Sequence, residues 1–396
     1  MSKNINVPKL RFKEFSGEWE EKKLGNIATF YNSKRIPLTD TDRVKGIYPY
    51  YGASGIIDYV HEYIFEGEYI LLGEDGANIV MRNSRLVFLA KGKFWVNNHA
   101  HVFQANESNS FLCEALERIN YTKYNTGTAQ PKLNAEVVKK IKLNLPQKQE
   151  QEKIASFLIS VDTKIEQLTK KESLLKEYKK GVMQKIFNQE IRFVSDDGSE
   201  FCDWEEKKLG EIADVSKLAG FEFTKHIEYS DTGKIIALRG LNIKNNSLVL
   251  SDVKYIDRSD FSKLSRSKLY MNDMMFTYVG TIGETAIIQE NDRFYLAPNV
   301  ARIRLKDELN SIIFVNHYFN RYKFRKVEIE KYIATSSQPA LSMTNIRLFK
   351  LNLPCLEEQT KISNFLSSID TKIEQTGKQL EQTKKFKKAL LQQMFV

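Results

Sequence analysis

The chain has 396 residues, 42% of them hydrophobic and 28% charged, which is ample for two or three domains with cores of their own and excludes a small stapled scaffold or a wholly disordered chain. Sixty Lys and Arg against 50 Asp and Glu give a net charge of +10, spread along the chain rather than gathered in one arm, a modest bias toward an anionic partner. Cys113, Cys202 and Cys355 are too few and too far apart for a disulfide framework or a paired-cysteine metal site, and no apolar run has the length of a signal or a membrane span; a reducing cytoplasm and no membrane partner are expected.

Along the chain, the segment Trp19 to Ala28 opens a region of short β-type runs at 56–60, 68–72, 78–81, 86–89 and 94–96, separated by Gly, Asp and Asn turns, with a helix predicted over 110–119. An alternating stretch then ends at Pro146, and from Glu150 to Phe187 no proline occurs. Apolar residues there fall at Ile154, Leu158, Val161, Ile165, Leu168, Leu175 and Val182, the seam of a heptad helix roughly 57 Å long at 1.5 Å per residue. The second half repeats the scheme. β-type runs are predicted at 234–238, 275–279, 285–288 and 301–305, a helix near 312–327, a strand ending at Pro354, and a second seam through Ile362, Leu366, Ile369, Ile373, Leu380 and Leu390.

The repeat is explicit in the residues. Trp19 to Ala28 recurs as Trp204 to Ala213, matching at nine of ten positions at an offset of 185. Leu143 to Pro146, Asp162 to Gln167 and the Gln130-Pro131 pair recur at an offset of 208, so the second half has gained 23 residues between its Trp204 and its Gln338. Two large units of this period indicate a pseudo-two-fold duplication and not a solenoid. The division expected is a globular domain over 1–146, a helix over 147–187, a second globular domain over 188–354 and a second helix over 355–396. The class expected is α+β, with the two amphipathic helices packed on each other as an intrachain antiparallel coiled coil; pairing between chains is the alternative, because heptads do not specify which partner they meet.

Catalytic motifs are missing: there is no G-x-G, no Pro-Pro and no P-loop, so dinucleotide binding, an adenine-methyltransferase core and a nucleotide-driven motor have no support. His99 and His101, if on a strand, share a face and could serve a metal-dependent nuclease, but no carboxylate or cysteine stands nearby in sequence to complete a ligand set. The other candidates suit nucleic acid. Tyr50 and Tyr51 lie in a tyrosine-rich stretch with Lys34 and Arg35 upstream, Arg321 to Lys326 interleaves cations with aromatics, and Lys217, Lys225, Arg239, Arg266 and Lys268 could meet phosphates. Strand cores and solvated faces account for many such residues equally well.

The Trp-Glu-x-Lys-x-Leu-Gly-x-Ile-Ala openings at 19–28 and 204–213, the Gln-Pro-x-Leu loops at 130–133 and 338–341, and the Leu-Pro followed by Glu-Gln-x-Lys-Ile helices resemble specificity subunits of type I restriction-modification systems. So do the motifs at 48–60, 73–77 and 97–101 and Val279 to Gly283. The resemblance covers essentially the whole chain. It implies a DNA-reading subunit with two target-recognition domains, non-catalytic itself, that binds double-stranded DNA and recruits two modification subunits and two restriction subunits. S-adenosylmethionine, ATP and magnesium would sit on those partners and no cofactor on this chain. The residues expected at DNA are Lys34, Arg35, Tyr50, Tyr51, Ser54, His99, Gln130 and Lys132 in the first half. In the second half they are Lys217, Lys225, Arg239, Arg266, Tyr278, Thr281 and Gln338, with Leu158, Val161, Ile165, Leu168, Leu366, Ile369, Ile373 and Leu380 forming the helix seam. Two unlike reading domains on a helical ruler should recognise a split, asymmetric target. The rivals are a stand-alone nuclease built on His99 and His101, and a coiled-coil scaffold.

Overall fold

The structure, a computed structural model, describes residues 6–127, 130–218, 220–333 and 339–396. By packing, the chain divides into two units: one running up to Lys170 and resuming over Lys378–Val396, the other spanning Lys171–Gly377. Both long helices cross this division, so each unit owns one end of each.

In the first unit a six-stranded sheet runs in the order Ala28–Phe30, Ala100–Ala105, Phe65–Gly73, Val87–Val96, Lys45–Gly52, Gly55–Val60. All neighbours are antiparallel except Lys45–Gly52 with Val87–Val96, where Tyr50 lies opposite Trp95. A two-stranded ribbon pairs Glu20–Lys23 with Lys142–Leu145, so the Trp19 motif and the Leu-Asn-Leu-Pro motif meet directly. The helix Asn109–Glu117 starts at Ser108, whose hydroxyl accepts from the Phe111 amide. Its Phe111, Leu112 and Leu116 join Trp19, Phe103 and Leu143 in the core, to which the long helices add Ile154, Leu158 and Val161 from one and Leu390 from the other, with Met394 and Phe395 just past its end. Phe395 stacks on Phe111 at 5.2 Å between centroids, and the Leu10 amide donates to the Gln393 carbonyl at 2.9 Å.

The second unit repeats this plan with additions. Its four-stranded sheet runs Ala213–Lys217, Val300–Leu305, Met274–Thr277, Thr285–Ile287. A ribbon pairs Glu205–Lys208 with Lys350–Leu353, and the helix Ile312–Phe319 is capped by Ser311 as its counterpart is by Ser108. Much of the extra length falls between Lys217 and Thr277, where a separate three-stranded sheet adds Ile236–Leu238 and Lys254–Tyr255 against Phe294–Leu296. Met183, Ile186 and Phe187 from the first long helix and Ile362, Leu366 and Ile369 from the second complete the core.

The long helices span Lys148–Phe187 and Leu356–Gln393. Within each unit they run antiparallel. In the first, Lys387 Nζ meets Asp162 Oδ1 at 2.6 Å; in the second, Lys179 Nζ meets Asp370 Oδ1 at 2.5 Å. These are the same pair twice, since both residues recur at the 208 offset. Of the seam residues, Leu158, Val161, Leu168, Leu366, Ile369 and Leu380 are buried, while Ile165 and Ile373 are half-buried against the cores. The fold is thus α+β with an internal duplication and an intrachain antiparallel helix pair.

Two local expectations fail. Residues 78–81, read as a strand, form the helical turn Asn78–Met81: only Ile79 is buried, and the Asn78 side chain binds the Ser84 amide and carbonyl to close a loop that a strand would have to open. The predicted helix over 312–327 is broken after Phe319, where Asn320 turns its amide onto Thr285 and Asn246; a π-helical segment, Phe324–Ile329, follows.

Candidate nucleic-acid interface

In the first unit four loops gather at one end of the six-stranded sheet. The hairpin turn at 52–55 presses its Ala53 carbonyl against Gly73, where an added Cβ would lie 2.5 Å from that oxygen, so only glycine lets the two backbones approach. From Gly73 the chain runs through Glu74 and Asp75 to Gly76, whose φ of +103° makes the turn. The Glu74 amide donates to the His99 carbonyl at 2.8 Å, tying in the 97–100 turn. The Leu133 amide donates to the Glu74 carbonyl at 2.7 Å, and the Gly76 amide to the Pro131 carbonyl at 3.0 Å, so the Gln130-Pro131-Lys132 segment is stitched on as one short antiparallel bridge.

Side chains then build a charged cluster. Arg35 Nη1 donates to Glu74 Oε2 at 2.7 Å and to the Ala100 carbonyl at 2.9 Å; Lys132 Nζ stands 3.5 Å from Glu74 Oε1. Burial works against ionisation of Glu74, but the Arg35 hydrogen bond and the positive surroundings outweigh it and hold its pKa below the ordinary glutamate value. His101 is 1% exposed; burial drives its pKa down, leaving a neutral ring whose Nε2–H donates to the Leu133 carbonyl at 2.7 Å while Nδ1 accepts from Asn32 Nδ2 at 2.9 Å.

The histidines do not share a face. His99 sits in a turn with its side chain 51% exposed and Nδ1 2.6 Å from Asp75 Oδ2, whereas His101 is on a strand and interior. Carboxylates do stand beside them, contrary to the sequence reading, because the Glu74-Asp75 loop arrives from another strand. Even so, the described residues contain no group of three or more His, Cys, Asp or Glu placed to hold a metal.

Of the other first-half candidates, Ser54, Gln130, Lys132 and Lys34 are exposed, the last with Nζ 5.4 Å above the Tyr31 ring. Tyr51 is half-buried, stacked on Phe88, and burial raises its phenol pKa. Tyr50 is 1% exposed and its hydroxyl is engaged by Leu38, so this side chain packs a core and meets no solvent.

The second unit builds an equivalent bridge from different residues. The Leu341 amide donates to the Tyr278 carbonyl at 2.9 Å and the Gly280 amide to the Pro339 carbonyl at 3.3 Å, with Gly280 at φ +76°. Tyr278, Val279 and Gly280 thus occupy the places of Glu74, Asp75 and Gly76. Lys217 is exposed with Nζ 5.7 Å over the Tyr278 ring, whose own pKa burial raises. Beside this bridge lies a cleft of about 830 Å³ lined by Tyr229, Arg239, Lys244, Val279, Thr281, Asn299 and neighbours. Arg239 is half-buried and held by Asp252 at 2.9 Å; Thr281 is exposed. Lys225 and Arg266 are exposed but are not among the cleft's lining residues, and Gln338 lies outside the described residues. The structure therefore gathers two sets, Arg35, Ser54, His99, Gln130 and Lys132 in one unit and Lys217, Arg239, Tyr278 and Thr281 in the other. Glu74, Asp75 and Lys244 were missed. The Gly-Glu-Asp-Gly motif was visible in the sequence, but a carboxylate pair between two glycines gives no sign that it is there to hold cations.

The model of the type I restriction modification DNA specificity domain matches twice, over 16–177 and 202–385. The chain is 26% identical to a putative type I restriction enzyme specificity subunit of Haemophilus influenzae, over 89% of this chain and 88% of that one. It is also 26% identical to the MjaVIII type I restriction enzyme specificity subunit of Methanocaldococcus jannaschii, over 96% and 94%. Among solved structures the S subunit of a type I restriction-modification system from M. genitalium superposes with a TM-score of 0.66 at 15% identity, covering 98% of this chain and 99% of that one. Among the described residues no helix is long and apolar enough to cross a membrane.

Proposed function

Because the chain belongs to the type I restriction modification DNA specificity family, with two copies of its domain, we propose that each unit reads one half of a split, asymmetric DNA target and that the chain itself carries no catalysis. The observation that supports this most directly is the pair of bridges. Both units hold a proline-containing segment, Pro131 to Leu133 and Pro339 to Leu341, on a strand-end glycine turn by the same backbone hydrogen bonds, yet the side chains presented differ: Glu74, Asp75 and Lys132 in one, Tyr278, Val279 and Ala340 in the other. One frame with two chemistries is what two unlike half-sites require. Exposed Lys34 and Lys217 suit phosphates, which set orientation, and Ser54, Gln130, Lys132, His99, Arg239 and Thr281 suit base edges.

In this reading the duplicated helix pair offers equivalent docking sites to two modification subunits, which bind S-adenosylmethionine and methylate adenine. Two restriction subunits supply ATP- and magnesium-dependent cleavage. Co-expression with the modification subunit in a host lacking adenine methylation, followed by genome-wide mapping of methyladenine, is expected to return one motif of two defined halves around a fixed gap. Exchanging residues 1–146 for those of a relative should change one half and keep the other; a motif that changes in both halves, or in neither, refutes the assignment.

Helix length is proposed to set the unread gap. Removing one heptad from each helix, within 164–178 and within 372–386 so that Lys179 and Lys387 remain, shortens the rod by about 10 Å. The gap should contract by roughly three base pairs with both half-sites kept. An unchanged gap in a methylating complex would sink the ruler.

A further inference from the structure

The two bridges differ in one respect beyond what they present. Among the described residues, the second unit's bridge is held by backbone bonds, with Lys217 Nζ over the Tyr278 ring, and Ala301 stands at the register position of His101. In the first unit a buried imidazole pins the Leu133 carbonyl, and a carboxylate gathers two cations, one of them on the loop itself. Lys132 is the exposed member: its side chain is 49% exposed, whereas Glu74 and Arg35 are only 13% and 14% exposed. A lysine on a four-carbon stem samples many rotamers unless something holds its ammonium. Glu74, anchored by Arg35 from behind, is placed to do so.

We propose that Glu74 is a positioning residue for sequence reading in the first unit: it fixes the Lys132 ammonium and the Gln130-Pro131-Lys132 loop against the half-site and keeps the Lys132 charge from binding phosphates indiscriminately. This rests on the DNA-reading function proposed above. The carboxylate touches no base in this scheme; it acts through Lys132. A chain with that charge released should bind any duplex more tightly and its own target less selectively, because an unpaired lysine near the backbone displaces one more counterion.

The test uses the complex with the modification subunit and a duplex bearing the mapped target. In Glu74→Gln, discrimination at one base pair of the first unit's half-site is expected to fall on the order of 10-fold. The second half-site should be unchanged, and the slope of log affinity against log salt should steepen by about one. Glu74→Asp, which keeps the charge, should restore the slope, and Glu74→Gln combined with Lys132→Ala should return it to or below the original value. A variant damaged only in folding would lose affinity without steepening the slope, and that result overturns the proposal. So does an unchanged motif and slope, or equal relaxation at both half-sites. If the exchange of residues 1–146 moves one half-site while Glu74→Gln moves nothing, this inference fails and the two-reader function stands.

Discussion

Glu358→Ala is expected to destabilise the second unit by about 3–5 kcal/mol, and Glu150→Ala the first by a similar amount. Each carboxylate is wholly buried at the start of a long helix: Arg192 Nε and Nη2 donate to Glu358 at 3.2 and 2.8 Å, and Arg11 Nε and Nη2 donate to Glu150 at 2.8 and 2.7 Å. Trp204 Nε1 adds a third bond to Glu358 at 3.1 Å. The partners are 25% and 13% exposed and also donate to the carbonyls of Phe201 and Cys202 and of Ser16 and Gly17, so deleting the carboxylate leaves each guanidinium with neutral acceptors only, and the loss also removes a negative charge from a helix N-terminus. The next residue completes the lock: Gln151 and Gln359 each donate to the carbonyl of the proline that ends the preceding strand, both at 2.9 Å. This is why the Glu-Gln-x-Lys-Ile motif follows Leu-Pro twice. Denaturant unfolding, with Trp204 fluorescence following the second unit, measures the effect; a loss under about 1 kcal/mol would show that the pair is a surface-grade contact.

Acid should weaken the second unit through His317. This side chain is 2% exposed on the helix Ile312–Phe319, neither ring nitrogen has a hydrogen-bond partner among the described residues, and burial, helped by Lys179, pushes its pKa down to about 3. The folded unit therefore keeps the ring neutral while the unfolded chain protonates near 6.5. Above that pH the histidine contributes no pH dependence. Below it the unfolded state binds the extra proton, and stability falls by about 1.4 kcal/mol per pH unit until the folded pKa is reached. Asp370, 4.0 Å from Nδ1, is the facing carboxylate. Between pH 6.5 and 5, His317→Gln should lose about 2 kcal/mol less than the parent; parallel pH profiles would show that the ring escapes to solvent before it protonates.

How far the sequence carried this structure depends on the range of the forces involved. The long helices were legible because a heptad seam is a local signal, and Leu158, Val161, Leu366 and Ile369 are buried as their spacing requires. The duplication was legible because Trp19 and Trp204 open copied segments. What the seam did not disclose is that its two ends serve the globular cores, with Ile154 and Leu158 packing beside Trp19 and Phe111. At the site, side-chain types were readable but their company was not. Tyr50 had the composition of a DNA contact and went inside, because a parallel strand pair closed over it; Glu74 was passed over, because only the bridge to Leu133, far along the chain, shows what it holds. Asn78 to Met81 misled for the same reason, as a β-branched run in a segment whose ends were tied by the Asn78 amide.

The packing of Leu390, Met394 and Phe395 against Trp19 and Phe111 bears on how the chain is made. A ribosome delivers the sheet of the first unit early, but the residues that seal its core emerge after the whole of the second unit. The nascent N-terminal part must wait, with an apolar flank uncovered, while everything it will not pack against is synthesised and folds. A frameshift or stop codon a few residues before Phe395 would accordingly strike at the opposite end of the reading frame, and cells would see it as loss of the unit that was translated first.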